Sequence, residues 1–118
     1  MTEKSSAPSS LPVLKAEFFK ALGHPVRIRI LEILVAGERS VQELQEALHL
    51  DQPIVSQQLA MLRAKSIVKA RKEGTTVRYT VRDASLRELL AIARRIFDNQ
   101  LIDSQTMLRE LRREGRRR

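Results

Sequence analysis

The spacing of the apolar residues changes twice along this chain, and that change limits the fold more than any other feature. Up to Leu62 the apolar positions recur three or four residues apart, as on one face of a helix. From Ile67 to Val81 they alternate, and from Leu86 the helical spacing returns. The pattern therefore dictates several short helices, one hairpin and a long final helix. With 118 residues there is material for one domain with a modest core.

Residues 1–11 are rich in Ser and Pro and read as a disordered arm. Leu14, Phe18, Phe19 and Leu22 then share one helix face, with Gly23 as a stop. Pro25 suits the first turn of a second helix, whose stripe is Val26, Ile30, Leu31 and Leu34 and whose end is Gly37. Ser40 with Glu43 three residues on forms a capping box for a third helix, with Val41, Leu44 and Leu48 facing inward. His49, Leu50 and Asp51 make a tight connection. Pro53 lies in the first turn of a fourth helix, capped by Asp51 or Gln52, that buries Val55, Leu59 and Leu62. Ile67–Arg71 and Val77–Val81 flank a turn over residues 72–76 that contains Gly74, and read as a β-hairpin. Asp83 is expected to cap the last helix, whose pattern continues through Leu101, Leu108 and Leu111 to Gly115. The expected organisation is an arm over 1–11, a folded domain over 12–100 and a helical extension with a basic tail over 101–118.

Charge is distributed unevenly. The net charge is +8, yet residues 1–62 net −1 and the remaining 56 residues net +9. Residues 63–82 alone carry seven cations against Glu73, and Arg109 to Arg118 form a second basic cluster. Such a balance suits a polyanionic partner, either nucleic acid or an anionic membrane surface. No stretch is apolar enough to span a membrane, and the polar start lacks the core of a signal peptide, so the cytoplasm is the expected compartment. Cysteine is absent, which removes disulfides, thiolate ligands and cysteine nucleophiles together. No glycine-rich phosphate loop or nucleophile elbow is present, and Ser56 has no histidine near it in sequence. No catalytic residue and no cofactor is expected.

Two short helices joined by a three- or four-residue turn form a helix-turn-helix, whose second helix can enter the DNA major groove. The polar face of the fourth helix carries Gln52, Ser56 and Gln57, with Gln58 and Arg63 beside them. Glutamine amides bond bidentately to adenine and arginine to guanine, so these are the candidate readers of sequence. Arg71, Lys72 and Arg78, with the hydroxyls of Thr75 and Thr76, are the candidate phosphate contacts of the hairpin. The expected partner is double-stranded DNA carrying a palindromic operator. Leu14, Phe18, Phe19 and Leu22 on the first helix and Leu89, Leu90, Ala93, Ile96 and Phe97 on the last exceed what one small core can bury. They are the expected two-fold interface of a homodimer.

Ala21 to Leu31, reading ALGHPVRIRIL, resembles the opening signature of the ArsR/SmtB family of bacterial repressors. Ser40–Leu44 and Ile54–Arg63 look like that family's helix-turn-helix, and Lys72-Glu73-Gly74 with Tyr79 is similar to its wing. The resemblance spans about Leu14 to Phe97. It implies a mostly helical, dimeric winged helix-turn-helix repressor with dimer contacts from the first and last helices. Gln58 stands where many members have histidine. The positions matching the family's two metal sites are Ser40 and Gln42, and Asp83, Ser85, Ile96 and Asn99. One carboxylate survives among them, too few donors for a soft or borderline metal. His24 and His49 have no His or Cys neighbour at ligand spacing, so the expected signal is an unknown effector that is not a metal. Two other readings remain open at this level. One is a module binding protein or RNA through the last helix and tail, and the other is a sequence-blind architectural DNA binder.

Overall fold

The structure, a computed structural model, describes residues 10–117. Helix α1 runs over Leu11–Leu22, α2 over Pro25–Leu34, α3 over Val41–Leu48, α4 over Gln52–Ala64 and α5 over Leu86–Arg117. Strands β1 (Arg39–Ser40), β2 (Val68–Glu73) and β3 (Thr76–Val81) form an antiparallel sheet in the order β1-β3-β2. The chain divides into two compact units, one ending at Ala84 and the other beginning at Ser85.

The first unit is built around the buried side chains of Ile30, Leu31, Leu44, Val55, Leu59, Leu62 and Val68. Those positions are the inward stripes of α2, α3 and α4, closed on one side by the first residue of β2. Each helix start has a local cause. Ser10 stands at the N-cap of α1 with Pro12 in its first turn, so the helix begins one residue inside the expected arm; the rest of that arm lies outside the described residues. At α2 the N-cap is His24, whose Nδ1 accepts from the Val26 N–H at 3.1 Å, and Pro25 needs no partner. At α3 both halves of the capping box form: the Glu43 N–H donates to Ser40 Oγ at 3.1 Å, and the Ser40 N–H donates to Glu43 Oε1 at 2.9 Å.

Several expectations need correction. Leu22 is only 8% exposed and belongs to this unit's own core, so it is not free for an intermolecular face. Val26 and Val41 are half-buried rather than core. Helix α2 stops at Leu34, three residues before Gly37. The two-residue β1 carries no periodicity and escaped the sequence reading. The hairpin turn is tighter than its sequence suggested: Glu73 pairs with Thr76, leaving a two-residue loop in which Gly74 has φ 63°. Helix α5 begins at Leu86, three residues after Asp83.

The second unit is α5 itself, 32 residues or about 48 Å at 1.5 Å per residue. It runs unbroken past residue 100 and through Gly115, which does not end it. Leu89, Leu90 and Ala93 are half-buried, whereas Ile96 and Phe97 are exposed.

Candidate nucleic-acid interface

Helix α3 ends because His49 adopts the left-handed conformation at φ 57°, and its N–H and that of Leu50 return to the Gln45 carbonyl. Three residues later α4 begins, so the turn between the helices is His49-Leu50-Asp51. Asp51 stands at the N-cap of α4, without a side-chain capping bond. Val55, Leu59 and Leu62 lock α4 against the core at i, i+4 and i+7, which fixes the opposite side toward solvent.

The predicted readers do not all share that open side. Gln57 is exposed, two residues on from Val55 and so nearly opposite the buried stripe. Gln52 Nε2 donates to Ser56 Oγ at 2.7 Å, one turn along the helix, and Arg63 is exposed in the last turn. Gln58 is turned the other way. It is half-buried, and its Oε1 accepts from Arg27 Nη1 at 3.0 Å, while Arg27 Nε donates to the Ala21 carbonyl at 2.6 Å. Arg27 thus ties α1, α2 and α4 together through Gln58, a structural use of that glutamine which the sequence reading missed.

The hairpin register sorts its residues by face. Lys69, Arg71 and Glu73 of β2 stand opposite Thr80, Arg78 and Thr76 of β3 on one face; Lys72 pairs with Val77 on the other. Arg71 and Arg78 are therefore direct cross-strand neighbours of like charge, an arrangement that is unfavourable unless compensated. Three glutamates compensate it. Arg71 donates to both Glu38 oxygens, at 2.7 and 3.1 Å, and lies 3.7 Å from Glu73. Arg78 donates to Glu73 at 2.9 Å and to Glu43 at 3.3 Å. The Arg71 hydrogen bond holds the Glu38 carboxyl below the ordinary carboxylate range. The Ser40 N–H does the same for Glu43, with Arg78 adding to it. The Glu38 bond pushes the Arg71 guanidinium up in turn.

Arg71 and Arg78, predicted as phosphate contacts, are thus engaged with acids and hold the hairpin to the segment that starts α3. Lys72, Thr75 and Thr76 are exposed around the hairpin tip, and Lys69 and Arg82 are exposed cations that sequence reasoning did not select. The glutamates were missed because Glu38 and Glu43 lie more than thirty residues away in sequence from the arginines they meet. Among the described residues no group of three or more His, Asp or Glu side chains is placed to hold a metal ion. No described helix is long and apolar enough to cross a membrane.

Two helices at a three-residue turn, the second leading into an antiparallel hairpin that a third short strand extends, define a winged helix-turn-helix, the hairpin being the wing. The family model for bacterial regulatory proteins of the arsR family matches residues 24–70, which run from the cap of α2 to the middle of β2. The chain is 46% identical over 103 residues to the HTH-type transcriptional regulator Rv0081 of Mycobacterium tuberculosis, covering 86% of this chain and 90% of that one. The crystal structure of Rv0081 superimposes with a TM-score of 0.74 over 84% of this chain and 98% of its own. The chain belongs to the ArsR family of bacterial regulatory proteins and is a DNA-binding transcriptional regulator. It is also similar to a homodimeric winged helix-turn-helix DNA-binding domain from Mycobacterium bovis, at 30% identity and a TM-score of 0.72 over 86% of this chain and 94% of that one. The transcriptional repressor BigR from Xylella fastidiosa matches at 34% identity and a TM-score of 0.69 over 82% of this chain and 97% of its own. Family membership favours this function over a protein- or RNA-binding module or a sequence-blind architectural protein.

Proposed function

We propose that the protein is a homodimeric repressor that reads a palindromic double-stranded operator with α4 and grips the flanking backbone with the wing. The observation that carries this reading is the outward Gln57 on a helix locked from behind by Val55, Leu59 and Leu62. An amide in that position can make two hydrogen bonds to an adenine edge in the major groove. Gln52, Ser56 and Arg63 flank it on α4. Lys72, Thr75 and Thr76 supply phosphate contacts from the wing tip, and Arg71 and Arg78 act by fixing where that tip stands. Exposed Leu14 and Phe19 on α1, and exposed Ile96 and Phe97 on α5, each supply apolar surface for contact with a second copy. Two copies so related would present two copies of α4 to two half-sites.

The releasing signal in this reading is an organic molecule or a partner, not a metal. Ser40, at a family metal position, is committed to the capping box, and the His24 Nδ1 to the start of α2. The remaining family positions offer one carboxylate and no thiol or imidazole. The test is binding to DNA upstream of the protein's own gene against scrambled DNA at fixed salt. A reader should prefer the first by about 10³-fold or more. Equal affinity for both would reject sequence reading.

A further inference from the structure

The second half of α5 carries a narrow seam that the winged-helix unit does not explain. Phe97, Leu101, Ser104, Leu108, Leu111 and Gly115 follow one another at steps of four, three, four, three and four. At 100° per residue they lie within about 40° of one line along the helix. The four large members are 52–66% exposed. Leu90 and Ala93, just upstream on the same line, are half-buried. The seam therefore opens at Phe97 and stays open to the helix end.

We propose that residues 97–115 pair antiparallel with the same segment of a second copy of this chain. Three independent properties select this occupant and this register. The first is size. When Leu101 faces the partner's Leu111, Ser104 faces the partner's Leu108 and Phe97 faces the partner's Gly115, so two of the three kinds of pair set a large side chain against a small one and the third sets leucine against leucine. Glycine is disfavoured inside a helix, and an added Cβ at Gly115 would meet nothing within 4 Å in this chain, so nothing internal requires it. The bulk of the partner's Phe97 does. The second is flanking charge. The same register sets Asp98 beside the partner's Arg112, and two-fold symmetry makes that pair twice. The third is charge along the segment. Residues 96–106 carry Asp98 and Asp103 and no cation, whereas residues 107–118 carry six arginines against Glu110 and Glu114. A parallel pair would place the basic ends together and leave Gly115 facing Gly115 across a gap. An antiparallel pair sets each basic end against the acidic stretch of the other chain.

This segment lies C-terminal to the proposed dimer face on α5 and overlaps it at Phe97, so a copy that packs Phe97 against the partner's Gly115 does not also bury it in that face. The inference does not depend on which DNA bases α4 contacts. Its consequence is a self-contact between copies of the chain that is made by the last helix alone.

The chain has no cysteine, so an introduced thiol is unique. Leu101→Cys and Leu111→Cys full-length variants are mixed and treated with a short bismaleimide, and the products are identified by mass. Antiparallel pairing places position 101 beside the partner's 111, while like positions lie about 15 Å apart along the axis. The expected product is the mixed 101–111 link. Arg112→Asp should lower its yield roughly two- to tenfold, and adding Asp98→Arg should restore it. Dominant 101–101 and 111–111 links would overturn the proposal in favour of parallel pairing. No linked product, with helicity intact by circular dichroism, would overturn it altogether.

Discussion

Gln57 is the side chain on which sequence reading turns. Its amide has no hydrogen bond to another described side chain, so nothing within the protein must break before it meets a base. Gln57→Ala should cost about 1–3 kcal/mol of operator affinity and leave non-specific affinity nearly unchanged, as read by titrations on operator and scrambled duplexes. Gln58 behaves differently because its oxygen already serves Arg27. Gln58→Ala should lower thermal stability by leaving the half-buried guanidinium short of an acceptor. A variant with unchanged melting but lost specificity would show that Gln58 reads bases after all. In sequence, Gln57 stood on the polar face of α4 with Gln58 beside it, both as candidate readers. What separates them is the direction of the buried stripe on α4, combined with an arginine thirty-one residues away that periodicity cannot locate.

At the scale of elements, an exposed ionic cluster adds to the buried Val68 and the β1–β3 pairing in holding the wing. Most of the β2 and β3 side chains are exposed or half-buried. Because Glu38 and Glu43 are held below the ordinary carboxylate range, the linkage sign is fixed. Their contribution is complete above the pKa of an unfolded glutamate and disappears as pH falls through the lowered folded values. Chemical denaturation midpoints should therefore drop on the acid side, and Glu38→Gln should flatten that drop. The pairs are solvent-exposed, so added salt should weaken them as well. Helix starts and inward stripes were readable because each follows from local chemistry: a proline, a capping box, an i, i+4 repeat. Strand β1 was not, because two residues carry no period; its pairing with β3 depends on where the chain has already folded. The glutamate partners of Arg71 and Arg78 were not legible for a related reason. A sequence shows a run of cations but not the distant acids folded onto them.

For the whole molecule, the exposed apolar side chains of α1 and α5 and the chain's net charge of +8 set the expectations. Ile96→Glu should shift the mass seen by sedimentation at micromolar concentration toward the monomer, since a charge at a buried two-fold face is repeated by symmetry. A wild type that sediments as a monomer would remove the two-fold reading. Operator release should be indifferent to Zn²⁺, Ni²⁺, Co²⁺ and arsenite at low micromolar levels. Release at stoichiometric metal that is lost on changing His49 or Asp83 would reveal a site drawn from more than one copy. Salt should act on both DNA modes, with each lost wing-tip cation, Lys72 first, reducing the salt slope by about one unit.

Ser40 belongs at once to β1, paired with Arg78, and to the capping box that starts α3. A force on the wing is therefore delivered within one residue to the first turn of the helix that precedes the reading helix. The two parts should exchange their amide protons with deuterium as one cooperative block, not as a rigid body with a flapping appendage. A repressor built this way would lose purchase on its groove whenever its wing is pried loose, with no separate relay between the two.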